Sequence, residues 1–161
     1  MSLIKSSEEI ELIRESALLV SKTLGMLAKE IKPGINTLYL DSLAESFIRD
    51  HNAEPGFLGL YDFPNTLCIS PNSQVVHGIP NSDIVYEGDI LSIDCGVLKN
   101  GYYGDHAYTF EVGDVEEKTK KADKAEKPQK VESSNLYKAT ASSGLPGLSL
   151  LDDVDNSGLG Y

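Results

Sequence analysis

Apolar residues along the first fifty positions recur every three or four residues. Ile10, Ile13, Ala17, Val20, Leu24, Leu27 and Ile31 fall on one face of a helix predicted over residues 6–31, because 3.6 residues per turn bring such positions together. Ser6 and Glu9 have the spacing of a capping box at its start, and Pro33 with Gly34 ends it. Thr37, ahead of Asp41, is expected to open a second helix that carries Leu40, Leu43, Ala44, Phe47 and Ile48 on one face and ends near His51 and Asn52. From Pro55 onward Gly, Pro, aromatic and β-branched residues take over, which predicts a loop at 55–66, a short strand from Thr66 to Ser70 and another near Gln74 to Val76. Ile90 to Leu98 alternates and runs through Asn100-Gly101 into Tyr102 to Val112, the pattern of a hairpin with a two-residue turn.

Two helices followed by paired strands make the fold class α+β, with the helices against an antiparallel sheet. Beyond Lys121 the texture changes again. Ala122 to Tyr161 is rich in Lys, Ser, Ala, Gly and Asp, and its one apolar run, Leu145 to Leu151, is interrupted by Pro146 and Gly147. Residues 1–121 are therefore expected to form the folded unit, and residues 122–161 an unstructured low-complexity tail.

Charge narrows the possible partners. The 161 residues hold 14 basic and 25 acidic side chains, a net charge of −11, which disfavours nucleic acid and anionic lipid and favours cations. No apolar stretch approaches membrane-span length, and the N-terminus lacks the pattern of a secretory signal. Cys68 and Cys95 are too few for a disulfide framework and suit a reducing cytoplasm, each as a small buried hydrophobe.

The hairpin also carries candidate chemistry. With Asn100 and Gly101 as the turn, Lys99 faces Tyr102 and Asp94 faces Ala107, two residues from Asp105. Side chains alternate with period 2, so Asp94 and Asp105 project from the same face as diagonal neighbours, with Cα atoms roughly 7 to 8 Å apart. Two like charges there destabilise a hairpin unless a cation or solvent screens them. A shared cation is one reading; the other is that both simply face water on the open side of the sheet. Among the histidines, His77 is expected at the rim of the sheet, ahead of a Gly-Ile-Pro turn, where it can reach a ligand. His106 should point to the face opposite Asp105, and His51 should serve the helix end electrostatically.

These residues carry a family resemblance. Cys68-Ile69-Ser70 with Asn72, Val76-His77-Gly78-Ile79-Pro80, Glu87-Gly88-Asp89-Ile90, Ser92-Ile93-Asp94, Asn100-Gly101-Tyr102-Tyr103-Gly104-Asp105 and Thr109-Phe110 together resemble the N-terminal half of a type I methionine aminopeptidase, from about Ile4 to Lys121. The resemblance implies the N-terminal half of a pita-bread fold, in which two similar αβ halves enclose a dinuclear divalent-metal centre. It implies an enzyme that removes the N-terminal methionine of nascent polypeptides, working with two divalent ions, Co, Mn, Fe, Zn or Ni. By position, Asp94 is implied as a bidentate metal ligand and Asp105 as a bridging one. His77 is implied as a catalytic residue that hydrogen-bonds substrate near the scissile amide, with Phe63 and Cys68 lining the methionine pocket. Leu60 departs from the aromatic residue usual at its position, and Tyr61 stands beside it.

A larger departure lies downstream. The family completes its ligand set with a histidine and two glutamates from its second half, and the chain has no histidine after Lys121. The isolated chain is accordingly expected to be inactive, as a truncated or out-of-frame copy, a deliberate half or one of two complementary chains, the first being favoured. The alternative reading is a non-catalytic pita-bread-like binding module, whose usual mark would be loss of the metal aspartates.

Overall fold

The computed structural model describes residues 4–117 and 119. Among them the chain forms helices α1 (Ser7–Glu30) and α2 (Thr37–Asp50), strands β1 (Glu54–Pro55), β2 (Leu67–Pro71), β3 (Ile90–Lys99) and β4 (Tyr102–Glu111), and a single 3-10 turn at Leu60–Asp62. The two helices lie on one face of an antiparallel four-stranded sheet, as the periodicities predict. The segment 122–161, expected to be unstructured, lies outside the described residues.

At the start of α1, the Ser6 hydroxyl accepts from Glu9 N (3.2 Å) and the Glu9 carboxylate accepts from Ser6 N (2.8 Å), the reciprocal capping box. The buried stripe is Ser16, Leu19, Val20, Thr23, Leu24 and Leu27, turned from the predicted one, so that Ile10 and Ala17 stay exposed. The cause is a backbone contact. A Cβ on Gly104 would lie 2.5 Å from the Ser16 carbonyl carbon, and Ser16 Oγ donates to Tyr102 O at 2.8 Å. Small and hydroxylated residues thus bring this end of α1 onto β4 where side chains of the apolar stripe would not fit.

The cap of α2 is Asn36, whose side chain accepts from Tyr39 N at 2.8 Å; Thr37, expected to open the helix, is its first residue. Its hydroxyl instead accepts from Asn81 N (2.8 Å) and donates to Asn81 O (3.1 Å), tying the helix to a distant loop. Leu40, Ala44 and Ile48 enter the core, and Leu43 and Phe47 pack at its margin.

β3 is the central strand. β4 pairs along its whole length from Ile90↔Glu111 to Lys99↔Tyr102, while β2 and β1 share the other edge end to end. Leu91, Ile93, Cys95 and Val97 are buried under the helices, and by alternation Ser92, Asp94, Gly96 and Leu98 face the other way. Two details of the expected strands change. Glu54 and Pro55 pair with Leu98 and Val97, a two-residue strand too short to show a pattern. Gln74 to Val76 is not a strand; Asn72 turns left-handed (φ 52°) and Gln74 N donates back to Pro71 O at 3.0 Å, so the chain reverses and leaves Val75 and Val76 exposed.

Candidate metal and substrate site

The site lies on the sheet face that the helices leave open. Asn100 (φ 53°) and Gly101 (φ 81°) are both left-handed, the requirement of a type I′ turn that matches strand twist. This turn fixes Asp94 opposite Ala107 and Gly96 opposite Asp105, so the two aspartates are diagonal neighbours on one face, as read from the sequence. On the other side of β3, Cys68 lies opposite Asp94. One row across three strands therefore holds a thiol, a carboxyl and a methyl group, with Asp105 one step off it.

The two acids are electrostatically joined. Burial pushes the Asp94 carboxyl above its ordinary range, and the charge of Asp105 and a hydrogen bond to it push in the same direction, against a backbone donor and His77. One Asp94 oxygen, Oδ1, is buried and accepts from no group among the described residues. An orphaned carboxylate oxygen beside a second carboxylate is costly without a cation, and hard oxygen donors are what divalent ions take. The donor set fits a metal. Among the described residues no third His, Cys, Asp or Glu completes a ligand cluster.

His77 lines the same cavity as the two acids. Its backbone is left-handed (φ 57°), and the following Gly78 crosses β2 closely. Ile69 N donates to Gly78 O (2.8 Å), and Gly78 N donates to Ser70 Oγ (3.0 Å). A Cβ at Gly78 would collide with the Ile69 carbonyl, so glycine there is what lets His77 ride the edge of the site. Cys68 is only 7% exposed; burial, then the charges of Asp94 and Asp105, push its thiol up to about 11. It stays neutral and acts as an apolar, polarisable wall. Cys95, on the core side, is pushed up to about 12 for the same reasons.

The cavity encloses about 460 Å³, and Phe63 lines it with Cys68, His77 and the two aspartates. Phe57, Leu60, Tyr61 and Ile79 line it too; the resemblance had set Leu60 at a pocket position with Tyr61 beside it, whereas Phe57 and Ile79 were not assigned to the site. For Phe57 a signal existed. Gly96 interrupts the β-branched strand pattern, and a Cβ there would lie 2.5 Å from Phe57 Cε1, so the glycine marks a close approach. The other three stand on loops without period.

The remaining histidines are elsewhere. His106 lines a groove with Ser21, Leu24 and Gly25 on the helix face, as alternation required. His51 caps α2, its Nδ1 donating to Phe47 O at 2.7 Å.

The sequence profile of metallopeptidase family M24 matches residues 11–140, a span that runs past Lys121. The chain is 48% identical over 121 residues to a methionine aminopeptidase of Clostridium perfringens, covering 75% of this chain and 49% of that protein. The crystal structure of methionine aminopeptidase from Rickettsia prowazekii superimposes with a TM-score of 0.73 at 37% identity, over 75% of this chain and 49% of that one. Prolidase from Pyrococcus furiosus gives 0.65 at 26% identity, over 74% of this chain and 34% of that one. The chain spans about half the length of the curated relatives it matches, and its fold corresponds to part of a pita-bread fold.

Proposed function

This chain belongs to metallopeptidase family M24, and from that premise we propose that it is the N-terminal half, over residues 1–121, of a cytoplasmic enzyme that removes N-terminal methionine from nascent proteins. The observation that carries this reading is the buried Asp94 oxygen that accepts from no group among the described residues, beside Asp105 in an apolar cavity. Asp94 and Asp105 would hold two divalent ions, with Co, Mn, Fe, Zn or Ni all suited to mixed carboxylate and imidazole ligation. Bound ions of this kind supply Lewis-acid polarisation of the scissile carbonyl and a nucleophile available near neutral pH.

The chain's own residues bind and orient. Cys68 and Phe63 enclose the methionine side chain in a wall without charge. His77 hydrogen-bonds the substrate near the scissile amide, held there by the Gly78 crossing. With two carboxylates and no third ligand among the described residues, the chain alone makes a weak and poorly selective cation site, and the second half of the enzyme supplies the rest.

The test is Asp94→Asn, introduced both in this chain and in a full-length form. Cobalt or manganese titration of the chain should lose its binding signal. Turnover of a methionyl peptide by the full-length form should fall by about 10²-fold or more, as for loss of a metal-orienting group. Unchanged metal content together with unchanged turnover would end this reading. A non-catalytic binding module of the same fold is the second reading, favoured by the incomplete ligand cluster. It requires peptide binding indifferent to Asp94→Asn.

A further inference from the structure

We infer that Ser70 is a positioning residue for His77: its hydroxyl fixes the His77–Gly78 peptide against β2 and thereby sets where the imidazole stands at the edge of the site. This rests on the peptidase reading above, in which His77 meets the scissile amide. In the pairing of β2 with β3, Cys68 lies opposite Asp94 and Ser70 opposite Ser92, so Ser70 is on the same face as the site, two residues along from the pocket wall. It is buried, only 3% exposed, and a buried hydroxyl is costly unless it is hydrogen-bonded. The group it accepts from is Gly78 N, at 3.0 Å.

Side-chain packing does little to hold the segment that carries His77, because its neighbours Val75, Val76 and Ile79 are exposed. Two hydrogen bonds, both at Gly78, tie the segment to β2. One is a main-chain bond, Ile69 N to Gly78 O (2.8 Å); in the other, Gly78 N to Ser70 Oγ, a side chain stands in for a main-chain acceptor. His77 is left-handed (φ 57°), a conformation that disfavours any residue with a Cβ, and strain of this kind persists only where the surroundings over-determine it. With the hydroxyl removed, a single bond remains, and the His77 backbone can relax towards negative φ and carry the ring away from the cavity that it lines with Asp94 and Asp105.

The test uses the full-length form, loaded with cobalt and assayed on the tripeptide Met-Ala-Ser. Ser70→Ala should lower kcat by about tenfold, less than the 10²-fold that a misplacement of about 1 Å can cost, with KM and metal content as in the wild type, because the pocket wall and both aspartates are untouched. His77→Ala should lower kcat by about 10²-fold. The two substitutions together should cost no more than His77→Ala alone, since Ser70 acts through the ring. Ser70→Thr keeps the hydroxyl and should keep turnover. Ser70→Cys, close in size but a weak acceptor, should lower kcat in the same sense, and it answers the question if Ser70→Ala does not fold. Wild-type kcat in Ser70→Ala or Ser70→Cys overturns the proposal. So do losses that multiply in the double variant, or a raised KM at unchanged kcat, because Ser70 would then act on the sheet and not on His77. If the full-length wild type has no turnover, or His77→Ala leaves kcat unchanged, the peptidase reading itself fails and this proposal with it.

Discussion

Asp41 holds the second helix to the second strand. From α2 its Oδ1 accepts from Thr66 N (3.0 Å) and Leu67 N (2.8 Å), and its Oδ2 accepts from Asn65 Nδ2 (2.8 Å). It thereby satisfies backbone donors at the start of β2, the two residues that precede Cys68, whose side chain meets the site. Asp41→Ala leaves two buried amides without acceptors and should cost about 2–4 kcal/mol, read by urea unfolding. Asp41→Asn keeps an oxygen for both and should cost less than about 1 kcal/mol. Burial outweighs the three donors and raises the Asp41 carboxyl above its ordinary 3.8. A raised folded value means that the native state holds the proton more tightly, so stability falls as pH rises from 3.8 through the folded value. The stability of the wild type relative to Asp41→Asn should decline across that window and level above it. Nothing in the residue pattern singled out Asp41, because its partners lie 24 to 26 residues away.

At the scale of elements, the hairpin and its contact with α1 decide the site. The turn residues and the period-2 alternation are local properties, so the pairing of Asp94 with Ala107 and the shared face of Asp105 were readable along the chain. One glycine inserted between Asn100 and Gly101 would shift β4 by a residue against β3 and turn Asp105 to the helix face. Cation binding should vanish in titration, while helical circular dichroism persists. Gly104→Ala acts differently. Its Cβ would meet the Ser16 carbonyl carbon at 2.5 Å and Ala17 N at 2.6 Å, and backbone cannot yield as a side-chain tip does. A loss of about 1–3 kcal/mol is expected from such overpacking, measurable as a lower denaturant midpoint. The rotated stripe on α1 comes from this contact too, which no helical periodicity contains.

For the whole molecule, among the described residues β4 pairs with β3 alone, so no second described strand lies along its outer edge. Tyr103 and Tyr108 are exposed along it. Such an edge promotes pairing with other chains, and a lysine on it opposes that. Sedimentation of the chain at rising concentration should show association that Tyr108→Lys reduces. The chain also spans about half the length of its curated relatives, which matches a site with two acids but no third ligand among the described residues.

The two helices, the hairpin, its turn and the common face of Asp94 and Asp105 are legible in the residue pattern, because each follows from a repeat or turn within a few residues. Folding was needed to bring Phe57 and Ile79 to the same cavity, to turn Gln74 to Val76 out of the sheet, and to bury one oxygen of Asp94 with no donor among the described residues. Those outcomes depend on how segments far apart in the chain shield one another from water. Burial of that kind is a property of the assembled fold, and it leaves no period in the chain.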